Sequence, residues 1–317
     1  MRIALIEDYQ DEARSSADWG SLPAGTEVIA FHDHMEDEDA LVERLRDFDV
    51  VVGVRQRTWF TRSLLQRLPN LKLLMNGGGA AIDMVAAAEQ GVTICTLGGT
   101  NTATAEQTWA LTLALARNVV QEDRAMREGR WQTTVGVGLE RSTLGIVGLG
   151  NLGGQVAAYG KAFGMNVIAW SRSLTPERAE EKGATLVTKD ELFERSDFIS
   201  VHVSLSDASR GLIGARELGL MKPTAFIVNT SRGPIIEEAA LLAALRERRI
   251  AGAGLDVYDV EPIPHDHPFL ALDNVVLAPH LGFVTKQSYG IFYRHAVENI
   301  AAFIAGAPIR VVPPPAG

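Results

Sequence analysis

The sequence predicts an α/β protein built from two doubly wound parallel sheets. Short apolar runs alternate with helical patterns over the first hundred residues, and the same alternation resumes after residue 143. This alternation is typical of parallel strands that are covered by helices on both faces. A glycine-rich turn at residues 148–153 lies near the start of the second series. With 317 residues, the chain is long enough to form two domains.

The first series contains five strand candidates. Each is a short run rich in Val, Ile and Leu, and the runs are 3–6, 28–31, 50–54, 71–75 and 92–95. Helical patterns connect them at 39–46, 62–68 and 82–90. The acidic run 36–39 suits the first turn of a helix, where carboxylates meet the positive end of the helix dipole. A long apolar-rich helix is predicted over 104–120, and a polar connection over 121–141.

The glycine-rich turn has the pattern of a phosphate-binding loop. An apolar run at 144–147 leads into Gly148-x-Gly150-x-x-Gly153, and a helical pattern follows at 155–163. A strand, a tight turn and a helix start in this order are typical of a Rossmann unit that binds a dinucleotide. Gly148 allows the turn, Gly150 lets the backbone approach the phosphates, and Gly153 lets the helix pack closely on the strand. The helix N-terminus then offers N–H groups to the pyrophosphate.

The second series continues to the end of the chain. Strands are predicted at 166–170, 198–203, 225–229, 252–256 and 275–277, and helices at 176–182, 189–194, 215–220 and 237–246. A long amphipathic pattern at 285–305 predicts a final helix. We therefore expect a dinucleotide-binding domain at 103–284, and a substrate domain formed by 1–102 together with 285–317. A cleft between two such domains is the expected place for a ligand.

Composition limits the classes of partner. The net charge of −9 argues against nucleic acid and anionic membranes as main partners, although a small anion responds to local charge. No apolar run is long enough to span a bilayer, and the short apolar start of the chain lacks the features of a signal peptide. The single cysteine, Cys95, cannot form an internal disulfide and is expected in a buried strand. These features favour a cytoplasmic globular protein.

Three predicted strands end in charged or ionisable side chains. The segments are Asn229-Thr-Ser-Arg232-Gly, Gly254-Leu-Asp-Val-Tyr-Asp-Val-Glu261-Pro and Pro279-His280. Ligands of open parallel sheets bind outside the carboxyl ends of the strands. Arg232, Glu261 and His280 are therefore candidate site residues. Taken singly, each could instead be a surface ion-pair residue, a turn residue or a strand cap.

With these motifs in this order, the sequence resembles the D-isomer-specific 2-hydroxyacid dehydrogenases over nearly its whole length. The resemblance implies a homodimer whose Rossmann domain is inserted in a split, flavodoxin-like substrate domain. It implies that Arg232 holds the substrate carboxylate and polarises the keto oxygen. It also implies that His280 is the acid/base, and that Glu261 orients its imidazole and favours the charged form. Trp109 and its helix are expected in the core or the dimer interface.

The resemblance also implies the cofactor-binding residues. Asp256 matches the family aspartate near the nicotinamide carboxamide, and His202 and Ser204 match a cofactor-contacting loop. The full set of expected cofactor-binding residues is Gly148, Gly150, Asn151, Leu152, Gly153, Ser171, Arg172, His202, Ser204, Thr230 and Asp256.

One departure from the family pattern concerns the choice of cofactor. Where NAD-preferring members have an acid for the ribose 2′-hydroxyl, this chain has Ser171 followed by Arg172. The absence of a carboxylate removes repulsion of a 2′-phosphate, and an arginine can pair with that phosphate. We therefore expect NADP(H) to be preferred over NAD(H). The alternative is that Arg172 points to solvent and NAD(H) binds through Ser171.

The resemblance places the substrate carboxylate at a loop before Ile82 and Asp83, which here is about two residues short. Gly77, Gly78 and Gly79 in this loop still offer accessible N–H groups. Arg55, in the segment 55–59 that also contains Trp59, adds positive charge beside an aromatic wall. This would suit an anionic substrate with a bulky or second acidic group, unless the arginines of the segment make surface ion pairs. No metal site is expected, because the histidine pairs at 32/34 and 265/267 lack a partner cluster at metal-ligand spacing.

The expected activity is reversible NAD(P)H-dependent reduction of a small 2-keto acid, such as glyoxylate or hydroxypyruvate, to the D-2-hydroxy acid. One alternative is a non-enzymatic NAD(H)-sensing corepressor of the same fold. Another is oxidation of phosphite or formate, although the formate enzymes place Gln where Glu261 stands.

Overall fold

The structure is a computed structural model, and it describes residues 1–54, 57–77, 81–99 and 102–314. The chain divides into two compact units. One comprises residues 1–100 and 285–317, and the other comprises residues 101–284. Each contains one parallel sheet flanked by helices, so the predicted fold class is confirmed.

The first unit contains five strands: β1 Arg2–Ile6, β2 Glu27–Ala30, β3 Val50–Gly53, β4 Leu73–Asn76 and β5 Thr93–Ile94. They pair in the order β2-β1-β3-β4-β5, which is the flavodoxin-like order. Its helices are α1 Glu38–Leu45, α2 Arg62–Gln66 and α3 Met84–Glu89. The acidic run begins α1 as expected, because Asp37 caps the helix by accepting a hydrogen bond from the Ala40 N–H.

The second unit begins with two helices, α4 Thr102–Ala116 and α5 Val119–Arg127. Its strands are β6 Thr143–Val147, β7 Asn166–Trp170, β8 Thr185–Leu186, β9 Phe198–Val201, β10 Phe226–Asn229, β11 Gly252–Leu255 and β12 Val275–Leu277. The helices between them are α6 Asn151–Ala162, α7 Pro176–Glu181, α8 Lys189–Arg195, α9 Ala215–Leu220 and α10 Glu238–Arg246.

The second sheet has the order β12-β11-β10-β9-β6-β7-β8. The chain moves outward from β6 through β7 to β8, then crosses back and builds the other half from β9 to β12. The carboxyl end of β6 is therefore the topological switch point of this sheet, where ligands of doubly wound folds bind. The glycine-rich turn follows β6 directly.

Two sequence expectations were wrong in this unit. The helix predicted over 104–120 ends at Ala116, because Asn118 adopts a left-handed conformation with φ of 51°. A second helix, α5, spans residues 119–127 and so includes the first part, 121–127, of the predicted polar connection. That helix buries only Ala125, and its residues after Val120 are mostly polar, so the sequence suggested a polar connection there. Strand β8 was missed because two residues are too short to show a strand pattern.

The last helix, α11 Lys286–Ile304, returns to the first unit. Its buried Asn299 donates a hydrogen bond to the Thr96 carbonyl at 3.1 Å, and His295 Nδ1 lies 2.6 Å from the Leu97 carbonyl oxygen. Both contacts join the helix to the segment after β5. Cys95, just before that segment, is fully buried as expected. Within the described residues, no helix combines the length and apolarity needed to cross a bilayer.

Candidate active site

The turn after β6 is shaped by its three glycines. Gly148 has a φ of 98°, and a Cβ there would stand 2.8 Å from Val203 Cγ1. A Cβ on Gly153 would collide with the Gly148 carbonyl oxygen, so the first turn of α6 lies directly against the loop. Gly150, the N-cap of α6, differs: among the described residues, nothing beyond its own segment lies within 4 Å of its Cβ position. The turn therefore packs tightly at Gly148 and Gly153, and leaves space for a ligand at Gly150.

This geometry fits a dinucleotide pyrophosphate. A ligand can approach the backbone at Gly150, where a side chain would otherwise stand. The N-terminus of α6 presents backbone N–H groups and the positive end of its dipole at the same place. Gly148 also donates its N–H to the Trp170 carbonyl at 2.9 Å, which holds the loop beside the end of β7. Ser171 and Arg172 follow that strand, and Arg172 is exposed.

The loop after β9 carries His202 and Ser204. The His202 N–H donates to the Val147 carbonyl at 2.8 Å, so this loop flanks the glycine turn. His202 Nε2 lies 2.7 Å from Ser200 Oγ, and desolvation lowers the pKa of His202 to about 4. Its imidazole is therefore neutral near pH 7, and it can offer a neutral polar group to a ligand. Thr230, after β10, is buried with its hydroxyl 2.7 Å from that of Thr108.

Arg232 lies in a loop that the side chains of Asn229 and Ser231 hold in place. Asn229 at the end of β10 donates to the Arg232 carbonyl at 2.9 Å and accepts from the Ser231 N–H at 3.0 Å. The Ser231 hydroxyl donates to the Val203 carbonyl at 2.5 Å. The guanidinium donates to the Ser231 carbonyl at 2.6 Å. The backbone is thus held on both sides of Arg232.

Glu261 and His280 form a hydrogen-bonded pair. Glu261 Oε2 lies 2.5 Å from His280 Nδ1, and both side chains are less than one-fifth exposed. The other carboxylate oxygen of Glu261 accepts from the Tyr258 N–H at 3.0 Å. With its carboxylate held at both oxygens, Glu261 fixes the orientation of the imidazole.

The loops that carry Arg232 and Glu261 contact each other through Gly233. A Cβ on Gly233 would collide with the backbone carbonyl of Tyr258. The Tyr258 hydroxyl donates to the carbonyl of Ala278, at 3.0 Å, and so also joins the end of β12. The three predicted strand ends are therefore brought together at one edge of the sheet.

Asp256 positions the segment after His280. It is fully buried, and its carboxylate accepts from the N–H groups of Leu281 at 2.7 Å and Gly282 at 2.9 Å. Burial raises the pKa of Asp256 to about 7, against the opposing effect of these two hydrogen bonds. Sequence reasoning named Asp256 for cofactor contact and missed this supporting contact. It also missed the contacts of Tyr258 with Glu261 and Ala278, although Tyr258 directly follows the Gly-Leu-Asp-Val motif.

Of the expected substrate-binding residues, Gly77 follows β4 with a φ of 58°, and Arg55, Gly78 and Gly79 lie outside the described residues. Asp8, Asp11 and His32 bring ligand atoms within 4.8 Å of one another. Both Asp8 oxygens already accept hydrogen bonds, from the N–H groups of Glu12 and Ala13. Asp8 thus stabilises the turn at residues 8–13, and His32 Nδ1 lies 2.8 Å from the Asp8 carbonyl oxygen. His32 therefore has two carboxylate neighbours that the spacing of the histidine pairs did not indicate.

A parallel sheet of this order, with a glycine turn at its switch point, defines a dinucleotide-binding α/β protein. The family model for the NAD binding domain of D-isomer specific 2-hydroxyacid dehydrogenases matches residues 109–282. The chain belongs to this family, and the resemblance seen in the sequence is confirmed. It is therefore an oxidoreductase that uses a nicotinamide dinucleotide.

The chain is similar to relatives with two different names. It is 44% identical over 255 residues to a glyoxylate reductase of Aeropyrum pernix, covering 77% of this chain and 76% of the relative. It is 40% identical to a D-3-phosphoglycerate dehydrogenase of Methanocaldococcus jannaschii, covering 85% of this chain and 52% of the relative. A crystal structure of a phosphoglycerate oxidoreductase from Vibrio cholerae O395 superposes with a TM-score of 0.92 at 37% identity, covering 97% of this chain and all of that one.

Proposed function

We propose that this protein is a cytoplasmic, NADPH-dependent reductase of small 2-keto acids that forms D-2-hydroxy acids reversibly. The observation that carries the proposal is the Glu261–His280 hydrogen bond of 2.5 Å, beside the loop that presents Arg232. An oriented imidazole and a guanidinium are what reduction of a 2-keto acid requires of a protein. The single, buried Cys95 suits a reducing compartment.

The residues of this site have separate roles in the proposed reaction. The guanidinium of Arg232 binds the substrate carboxylate and polarises the keto oxygen, which stabilises the negative charge that develops there. The nicotinamide supplies the hydride that reduces the carbonyl carbon. Because Nδ1 of His280 is held by Glu261, Nε2 is the nitrogen that gives a proton to the resulting alkoxide. In the oxidation direction, the same nitrogen takes the proton back.

The preference for NADPH rests on the end of β7. Ser171 and Arg172 stand there without a carboxylate that would repel a 2′-phosphate, and a guanidinium can pair with that phosphate. Arg172 is exposed, which both cofactor alternatives allow, so the kinetic comparison below decides between them. The remaining cofactor residues are those of the loops around the glycine turn: Gly148, Gly150, Asn151, Leu152, Gly153, His202, Ser204, Thr230 and Asp256.

The substrate class follows from charge and from the names of the relatives. We propose that backbone N–H groups at Gly77–79 and the charge of Arg55 bind a small anionic substrate. The relatives are named for glyoxylate and for D-3-phosphoglycerate. Of these two, we favour glyoxylate and similarly small keto acids, because the chain matches 76% of the glyoxylate reductase at 44% identity and only 52% of the phosphoglycerate dehydrogenase at 40% identity.

We expect the purified protein to oxidise NADPH in the presence of glyoxylate or hydroxypyruvate, with a higher kcat/KM for NADPH than for NADH. The measurement is nicotinamide absorbance with a panel of 2-keto acids, and with D-3-phosphoglycerate in the oxidation direction. A higher kcat/KM with NADH would refute the cofactor preference. Tight cofactor binding without turnover of any acid would instead favour the sensing corepressor.

We also propose that the protein is a homodimer whose interface includes α5 and the segment after it. Trp131 is 73% exposed and Val135 is 94% exposed. Further exposed apolar side chains of the same unit are Val119, Val120, Met126, Val137 and Phe163. Six of these seven exposed side chains lie within residues 119–137, and so many exposed large apolar side chains in one segment favour a protein interface.

Light scattering after gel filtration is expected to give twice the chain mass of 34.3 kDa. The double variant Trp131→Glu, Val135→Asp is expected to elute as a monomer, because each change buries a charge in the interface. A control variant with acidic residues at Val85 and Leu270, which are exposed but lie outside the proposed interface, should remain a dimer. A wild-type mass of one chain at micromolar concentration would contradict the proposal.

A further inference from the structure

Lys182 places an ammonium group at the glycine turn, although no family motif in this sequence includes it. The residue lies between α7 and β8, and its Nζ donates a hydrogen bond to the Gly150 carbonyl at 3.1 Å. The side chain crosses the first turn of α6 at Gly154, where a Cβ would stand 2.9 Å from Nζ. A glycine inside the helix therefore makes room for the lysine.

Without a ligand, both Lys182 and Gly154 are unfavourable for the N-terminal turn of α6. A cation is disfavoured at the N-terminus of a helix, because the dipole is positive there. Glycine in a helix also lowers its stability relative to alanine. A bound anion reverses the first effect, since its negative charge would lie between the ammonium and the helix N–H groups.

We propose that Lys182 binds a phosphate group of the dinucleotide. An ammonium has three N–H donors, and the Gly150 carbonyl takes one, so two remain for phosphate oxygens. The phosphate is either the pyrophosphate, at the start of α6, or the 2′-phosphate, near the end of β7. The inference rests on the nicotinamide cofactor of the family and is independent of the keto-acid substrate.

Lys161 offers a matched control, because it lies on α6 itself but at the opposite end from Gly150. It lies in the last turn of α6, and its Nζ is 3.7 Å from the Cβ position of Gly183. Replacing either lysine by methionine removes one positive charge and keeps most of the apolar side chain. The two variants thus differ only in which end of α6 loses the charge.

The experiment measures dissociation constants for NADPH, NADH and 2′,5′-ADP, without substrate, by calorimetry. We expect Lys182→Met to raise the dissociation constant for NADPH at least about tenfold, and Lys161→Met to change it less than about twofold. An equal loss of affinity for NADPH and NADH would show that Lys182 binds the pyrophosphate. A loss of affinity for NADPH and 2′,5′-ADP, with unchanged affinity for NADH, would show that it binds the 2′-phosphate. If Lys182→Met binds all three as the wild type does, the proposal is wrong, and the cofactor assignment of the family is unaffected.

A second variant separates binding from stability. Gly154→Ala should displace the ammonium by its Cβ and improve the helix. We expect weaker NADPH binding with a melting temperature, measured without cofactor, that is equal to or above that of the wild type. A purely structural lysine predicts the opposite: a lower melting temperature in Lys182→Met, with unchanged dissociation constants.

Discussion

We expect the Arg232→Ala variant to lose about 10³-fold in kcat/KM for 2-keto acids. The guanidinium serves both the carboxylate and the keto oxygen in the proposed reaction, so its removal affects binding and the transition state together. The fold should survive, because Asn229 and Ser231 hold the loop through contacts that do not involve the Arg232 side chain. The measurements are steady-state kinetics and the dissociation constant for NADPH, which should stay within about twofold of the wild-type value.

Three controls test whether the Arg232 guanidinium itself is needed. Arg232→Lys keeps the charge and loses the planar fork, so we expect an intermediate loss of about tenfold to a hundredfold. Added guanidinium chloride should restore part of the activity of Arg232→Ala. Arg216→Ala removes an arginine that pairs with Asp190 on the surface of the same unit, and it should leave kcat/KM unchanged. Wild-type turnover by Arg232→Ala would sink the proposed mechanism.

The sequence predicted the sheets well because their strands are buried. Strands at 166–170 and 275–277 have the predicted bounds, and so does the helix at 215–220. Parallel strands covered on both faces are continuous apolar runs, which are easy to recognise. The errors fall in exposed segments, because these lack the pattern of buried apolar residues from which helices and strands are predicted. Helix α5 is almost wholly exposed, and its boundary with α4 depends on the single left-handed residue Asn118.

The contacts that assemble the site could be predicted only in part. Arg232, Glu261 and His280 were recognisable as polar groups at strand ends. The contact of Glu261 with His280 was expected from the family resemblance and could not be derived from their spacing of 19 residues. The packing of Gly233 on Tyr258 depends on the relative positions of β10 and β11, which only the folded sheet provides. Lys182 lies 32 residues from Gly150 and outside every motif, so it was found only in three dimensions.

Loss of the His280 imidazole should be as costly as loss of Arg232. We expect His280→Ala to lower kcat about 10³-fold, because the variant lacks the imidazole that gives a proton to the alkoxide in the proposed reaction. His267→Ala is the matched control, since His267 also pairs with a glutamate, Glu238, at 3.1 Å. That change should leave kcat within about twofold of the wild-type value. Equal losses in the two variants would show that breaking any His–Glu pair damages the protein, and that His280 has no special role.

Glu261→Gln separates the charge of Glu261 from its position. The amide has the size of the carboxylate, so the imidazole can stay in place while the negative charge beside it is lost. An imidazolium without that charge gives up its proton more readily. The pH at which reduction declines and the pH at which oxidation begins should therefore both move downward, with kcat falling about tenfold to a hundredfold. If Glu261 only held the ring in position, both directions would slow without any movement of their pH profiles, and the acid/base role of the pair would rest on His280 alone.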